Sequence, residues 1–255
     1  MSRFREGKIK HSPKNTKIQY NFSTSVWFTA PNSLCGLQTY ILHSKNPYFC
    51  GMRPKLKLNH IKSLHDARYC SAVGVELLGF RFGNDADDGL APAAVAEVME
   101  WLSGPESVGE FQYESPEEIG EVAQQAKFHW VAVPIDYPSA SVGNLPEKLI
   151  FKAGHFDEDL VSTLQQLAVA FPGALFELPA DPSKFAVWKA LLETGLIGRC
   201  ILAYEEPDPI YALLQKDGHK PFAFSLGDFV EEPDGLLDYE TCDEFIDQFQ
   251  ALLPA

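Results

Sequence analysis

From Lys55 onward, short apolar runs bounded by turn residues alternate with segments whose apolar positions recur at helical spacing. KLKL (55–58) predicts a first strand, and LHDARYCSAV (64–73) a helix stopped by Gly74. VELLGFRF (75–82) predicts the second strand. APAAVAEVMEWL (91–102) predicts a helix with Val95, Val98, Met99 and Leu102 along one face. SVGEFQY (107–113) is the third strand. The helix after it opens on a capping signature, with Ser115 as N-cap, Pro116 at the first position and Glu118 at the third. HWVAVPI (129–135) and KLIFKAG (148–154) are the fourth and fifth strands, joined by a connection that is weakly helical at best. DEDLVSTLQQLAVAF (157–171) is a helix, GALFELP (173–179) the sixth strand, and Asp181-Pro182 opens a helix running through Leu192. RCILAY (199–204) is the seventh strand, Asp208-Pro209 opens another helix in the same way, PFAFSL (221–226) is the eighth strand, and DYETCDEFIDQFQALL closes the chain.

Eight strands, each followed by a helix or connection within about 200 residues, predict an α/β fold, a single (β/α)8 barrel over residues 53–255. An open doubly wound sheet is the alternative, but no Gly-rich fingerprint follows the first strand. In GALFELP, alternation puts Ala174, Phe176 and Leu178 on one face and Leu175 and Glu177 on the other. An inward Glu177 would need a partner, and Lys57 or Lys152 on neighbouring strands could supply one. Trp101, Trp130 and Trp188 read as helix–sheet packing, and the acidic last helix as a solvated face.

The first 51 residues are a different kind of sequence. They hold seven Lys/Arg and one acid, Glu6, and show no sustained period of 3.6 or 2. Three readings stay open: an extension preceding a true start at Met52, a transit or sorting segment, or a partner-binding arm. Each predicts little order through residue 52. Residues 52–255 hold 14 Lys/Arg and 34 Asp/Glu. So acidic a body repels phosphate backbones and anionic membranes, which argues against nucleic-acid and membrane partners. Five scattered cysteines without a CxxC predict reduced thiols in a cytoplasmic protein, with Cys70 and Cys200 in the core. No apolar run approaches the roughly 18 residues of a membrane span.

LKLNHIKSLHDARYCSAVGVELLGFRF (56–82) resembles the amino end of phosphoribosylanthranilate isomerases, a family of (β/α)8 barrels in tryptophan biosynthesis whose opening pattern is VKICGIxxxEDAxxAxxxGAdxxGFxF. Lys57, Ile61, Leu64, Asp66-Ala67, Gly74, Gly79-Phe80 and Phe82 fall in register without gaps. Ala91-Pro92 stands where the family often has Ser-Pro, VGEF (108–111) is similar to its VGVF strand, and KLIFKAG to its fifth strand. The resemblance spans roughly residues 55–255, is specific over the first 40, and loosens after about 130. It implies an Amadori rearrangement of a phosphoribosylamine. A cysteine base, an aspartate acid, an arginine holding the anthranilate carboxylate, and Gly-rich loops holding phosphate would carry it, without a cofactor.

Set on this chain, most of that equipment is replaced. The base cysteine falls on Asn59, which cannot take a proton from carbon, and its neighbouring glycine on His60. The arginine falls on Asp88, the strand-four QLHG pattern on Ala132 to Ile135, and the acid aspartate on Glu177, which keeps a carboxyl. The phosphate loop after strand seven becomes Tyr204-Glu205-Glu206. The one after strand eight survives as Ser225-Leu226-Gly227, followed by Asp228. Phosphate loops work because glycines let backbone N–H groups converge on the dianion. At about 6 Å and an effective dielectric of about 20, each added carboxylate repels a unit negative charge by about 3 kcal/mol.

The expectation is therefore a diverged barrel lacking efficient isomerase activity. The alternatives are an active isomerase, or an isomerase or lyase in which His60 as base and Glu177 as acid act on a non-phosphorylated small molecule at the barrel mouth. A metal site from His60, His155 and Glu177 has no HxH or HExxH spacing behind it, so no metal is expected. Against both site readings, His60 and His155 read as partly exposed loop residues and the DADD run, Asp85 to Asp88, as a solvated loop, while Asp136 is a further acid expected at the mouth. Oligomeric state is left open.

Overall fold

The computed structural model describes residues 53–82, 89–112, 114–143, 145, 148–157, 159–204, 219–226 and 237–252. The expectations for residues 1–52, for Asp85, Asp87 and Asp88, for Glu205 and Glu206, for the helix at Asp208-Pro209, and for Gly227 and Asp228 lie outside them.

Eight parallel strands pair in sequence order and close on themselves. They are β1 (Lys55–Leu58), β2 (Leu77–Arg81), β3 (Glu106–Glu110), β4 (Trp130–Pro134), β5 (Leu149–Lys152), β6 (Leu175–Pro179), β7 (Cys200–Tyr204) and β8 (Ala223–Leu226). Closure is made by β1 against β8, from Lys55 opposite Ala223 to Leu58 opposite Leu226. Among the described residues the helices are α1 (Leu64–Val73), α2 (Pro92–Glu100), α3 (Pro116–Ala126), α4 (Ser139–Val142), α5 (Leu160–Ala170), α6 (Phe185–Thr194) and α7 (Tyr239–Leu252). The fold is the predicted (β/α)8 barrel, and no helix among these residues is long and apolar enough to cross a membrane.

Local chemistry explains the boundaries. Ser63 Oγ accepts from the Asp66 N–H at 3.0 Å and starts α1, and Gly74 ends it in the left-handed region at φ 91°. At α3 the full capping box forms, with Glu118 N–H donating to Ser115 Oγ and Ser115 N–H donating to Glu118 Oε2. Asp181 Oδ1 accepts from Ser183 N–H at 2.8 Å, so Asp181-Pro182 opens with a 3-10 turn (Pro182–Lys184) before α6 begins. The connection after β4 is one short turn, α4.

Strand alternation sorts side chains into two apolar clusters. Leu77, Val108, Ala132, Ile150, Leu175, Ile201 and Ala223 fill the barrel interior. The opposite strand faces, including Leu56, Leu58, Phe80, Phe151, Phe176 and Phe224, pack under the helices with Cys70, Trp188, Cys200, Cys242 and Phe249. Full burial of each large side chain is worth roughly 1.5–3 kcal/mol, so this outer layer supplies most of the driving force. Trp188 is fully buried in it. Trp130 instead sits at the amino end of the barrel, where its indole N–H and the Lys55 ammonium both donate to Glu106, at 2.6 and 2.9 Å. Trp101 departs from the packing expectation. It follows the last residue of α2 and is 70% exposed, with the Arg68 guanidinium 5.7 Å from its ring. The buried stripe of α2 is Val95 and Val98, and the helix ends before Trp101 can join it.

The first and last helices are tied by side chains. The Tyr239 hydroxyl donates to Asp66 at 2.7 Å, and the Tyr69 hydroxyl donates to Asp243 at 2.6 Å. Arg199 performs a similar task at α5. Its guanidinium donates to the carbonyls of Ala174, Phe171 and Ala168 and lies over the Phe176 ring, satisfying the carboxyl end of the helix. Replacing Arg199 by Ala leaves those carbonyls without their charged donor, and the expected loss is about 2–3 kcal/mol in urea unfolding. A loss below about 0.5 kcal/mol would show that water replaces the guanidinium at no cost.

Candidate functional site

The alternation that makes the apolar interior also places charge directly above it. On β1, Leu56 and Leu58 face the helices and Lys57 faces inward. On β3, Val108 belongs to the interior cluster, so Glu110 two residues on points the same way. On β6, Leu175 and Glu177 repeat the relation. Lys57, fully buried, donates to Glu110 Oε1 at 2.6 Å and to Glu177 Oε2 at 2.7 Å. Lys152, beside Glu177 in the β5–β6 register, lies 3.3 Å from Glu110 Oε2 and is partly exposed. Two lysines and two glutamates thus balance charge inside the barrel.

Isolated, each buried charge would be prohibitive. Burial pushes the Glu110 carboxyl upward, but the charges of Lys152 and Lys57 and the Lys57 hydrogen bond outweigh it, with a further contribution from His60. The net result is a carboxyl held well below its ordinary range. Glu177 is also lowered: desolvation opposes ionisation and the Glu110 charge adds to it, yet Lys57 and Lys152 prevail. Both carboxyls are therefore ionised at neutral pH, so Glu177 has no proton to give in the resting protein.

Room for this cluster comes from Gly79 on β2. A Cβ there would come within 3.0 Å of Glu110 Oε1 and 3.1 Å of both the Cα and Oδ1 of Asn59. Only glycine lets these two polar side chains share the space. Asn59 is buried just beyond β1, and among the described residues its Oδ1 accepts no hydrogen bond. Glu110 Oε2, despite lying near Lys152, and the buried Ser225 Oγ on β8 also lack hydrogen-bond partners there. A buried uncharged atom left this way, as Asn59 Oδ1 and Ser225 Oγ are, costs about 1–3 kcal/mol, whereas Glu110 Oε2 has the Lys152 ammonium 3.3 Å away. His60 takes φ 58°, the left-handed region that glycine occupies without penalty. This left-handed backbone falls where the resembling pattern has glycine but here carries a side chain, and local strain of this kind clusters at functional sites.

The residues singled out from sequence divide accordingly. Asn59, Glu177 and Ser225 lie in the barrel interior at or near the carboxyl ends of their strands, and His60 follows Asn59. Asp88 and Gly227 lie outside the described residues. His155 and Asp136 are exposed. Among the described residues no three His, Cys, Asp or Glu side chains come together to hold a metal ion, so His60, His155 and Glu177 form no such site. Glu110 was missed. The available signal was the E of VGEF where the resembling pattern has V, on the inward face set by Val108.

Lys57 is the member whose removal strands both carboxylates. Lys57→Met should cost about 3–5 kcal/mol in denaturant unfolding at neutral pH, whereas Lys57→Met/Glu110→Leu/Glu177→Leu should recover much of that loss. A triple variant less stable than the single one would contradict this electrostatic account.

No protein-family model matches the chain. Over 86 residues, 33% of the chain, it is 31% identical to the N-(5'-phosphoribosyl)anthranilate isomerase of Chlorobium chlorochromatii (strain CaD3), a match spanning 40% of that relative's length. The phosphoribosylanthranilate isomerase of Thermus thermophilus superposes with a TM-score of 0.60 at 23% identity, covering 78% of this chain and 100% of that one. A phosphoribosylanthranilate isomerase in complex with reduced 1-(o-carboxyphenylamino)-1-deoxyribulose 5-phosphate gives a TM-score of 0.62 at 21% identity, over 78% of this chain and 99% of the other. In fold, and in sequence over its similar stretch, this chain is a phosphoribosylanthranilate isomerase-like (β/α)8 barrel.

Proposed function

We propose that the chain is a diverged phosphoribosylanthranilate isomerase-like barrel that does not support efficient isomerisation. The observation that carries this reading is the state of the two positions where the resemblance puts the proton carriers. Asn59 stands at the base position and has no group able to accept a proton from carbon. Glu177 stands at the acid position and is held ionised by Lys57. General acid–base catalysis needs one group able to take a proton and another carrying one to give.

Charge points the same way. The ligand in the similar complex carries, by its name, a carboxyl and a phosphate. In this barrel the buried Lys57 is engaged by Glu110 and Glu177. Glu205 and Glu206 follow the end of β7 in sequence, and Asp228 follows β8 by two residues. Added carboxylates near a bound dianion oppose its binding.

The test is phosphoribosylanthranilate turnover by the full chain at high protein concentration, with Glu177→Ala in parallel. The expected rate lies at least about 10²–10⁴-fold below that of an active family member under the same conditions, the contribution of positioned acid–base groups. Substantial turnover that Glu177→Ala abolishes would overturn the reading and identify an active isomerase working with the Glu177 carboxyl.

A further inference from the structure

We draw no further inference here: the strongest candidate, the side-chain cluster of Lys57, Glu110, Glu177 and Lys152 with Asn59 and Ser225 at the carboxyl end of the barrel, belongs to the site already described, and nothing among the described residues shows a cavity beside its buried atoms.

Discussion

The ammonium of Lys57 sits inside the barrel, where a charge survives only if it is matched. Glu110 and Glu177 match it from β3 and β6, at 2.6 and 2.7 Å, and Lys152 from β5 lies 3.3 Å from Glu110. These contacts connect strands across the barrel as well as along it. They also fix what lies at the mouth. Lys57 is committed to the two carboxylates, and with Lys152 it draws both below the ordinary glutamate range. Gly79 is a second part of the same constraint, because the space that a side chain there would occupy is shared by Glu110 and Asn59.

The network also carries a pH dependence whose sign is fixed. Both carboxyls have folded-state values below the ordinary glutamate value of about 4.3. Their contribution to stability is therefore fully present above that value and is lost as pH falls toward and through the lowered folded values. A catalytic carboxylic acid needs the opposite, a value raised toward neutrality so that a proton is held until needed. On this measure Glu177 behaves as a member of an ion pair.

The architecture was legible in the sequence because its period is strong. Runs such as VELLGFRF and RCILAY, separated by helical segments with recognisable caps at Ser115 and Asp181, leave little choice but parallel βα units. Period-two alternation set Glu177 on the face opposite Phe176 and left Lys57 or Lys152 as its partner; the structure gives the hydrogen bond to Lys57, with Lys152 beside Glu177 in the strand register. Glu110 was legible in the same way, from its place two residues after Val108 on one strand face, but was passed over in a stretch matched to the resembling VGVF pattern. The left-handed backbone of His60 could not be read from a histidine, although the glycine of the resembling pattern hinted at it. Trp101 shows the limit of periodicity, because one residue past a helix end no longer follows its face.

Titration of the glutamate side-chain carboxyls by carbon-detected NMR tests the central claim most directly. The account predicts that Glu110 and Glu177 remain ionised at pH values where exposed glutamates are half protonated, about 4.3. Either residue titrating at or above that value would mean that Lys57 does not hold it as described. The barrel would then keep a usable acid after all.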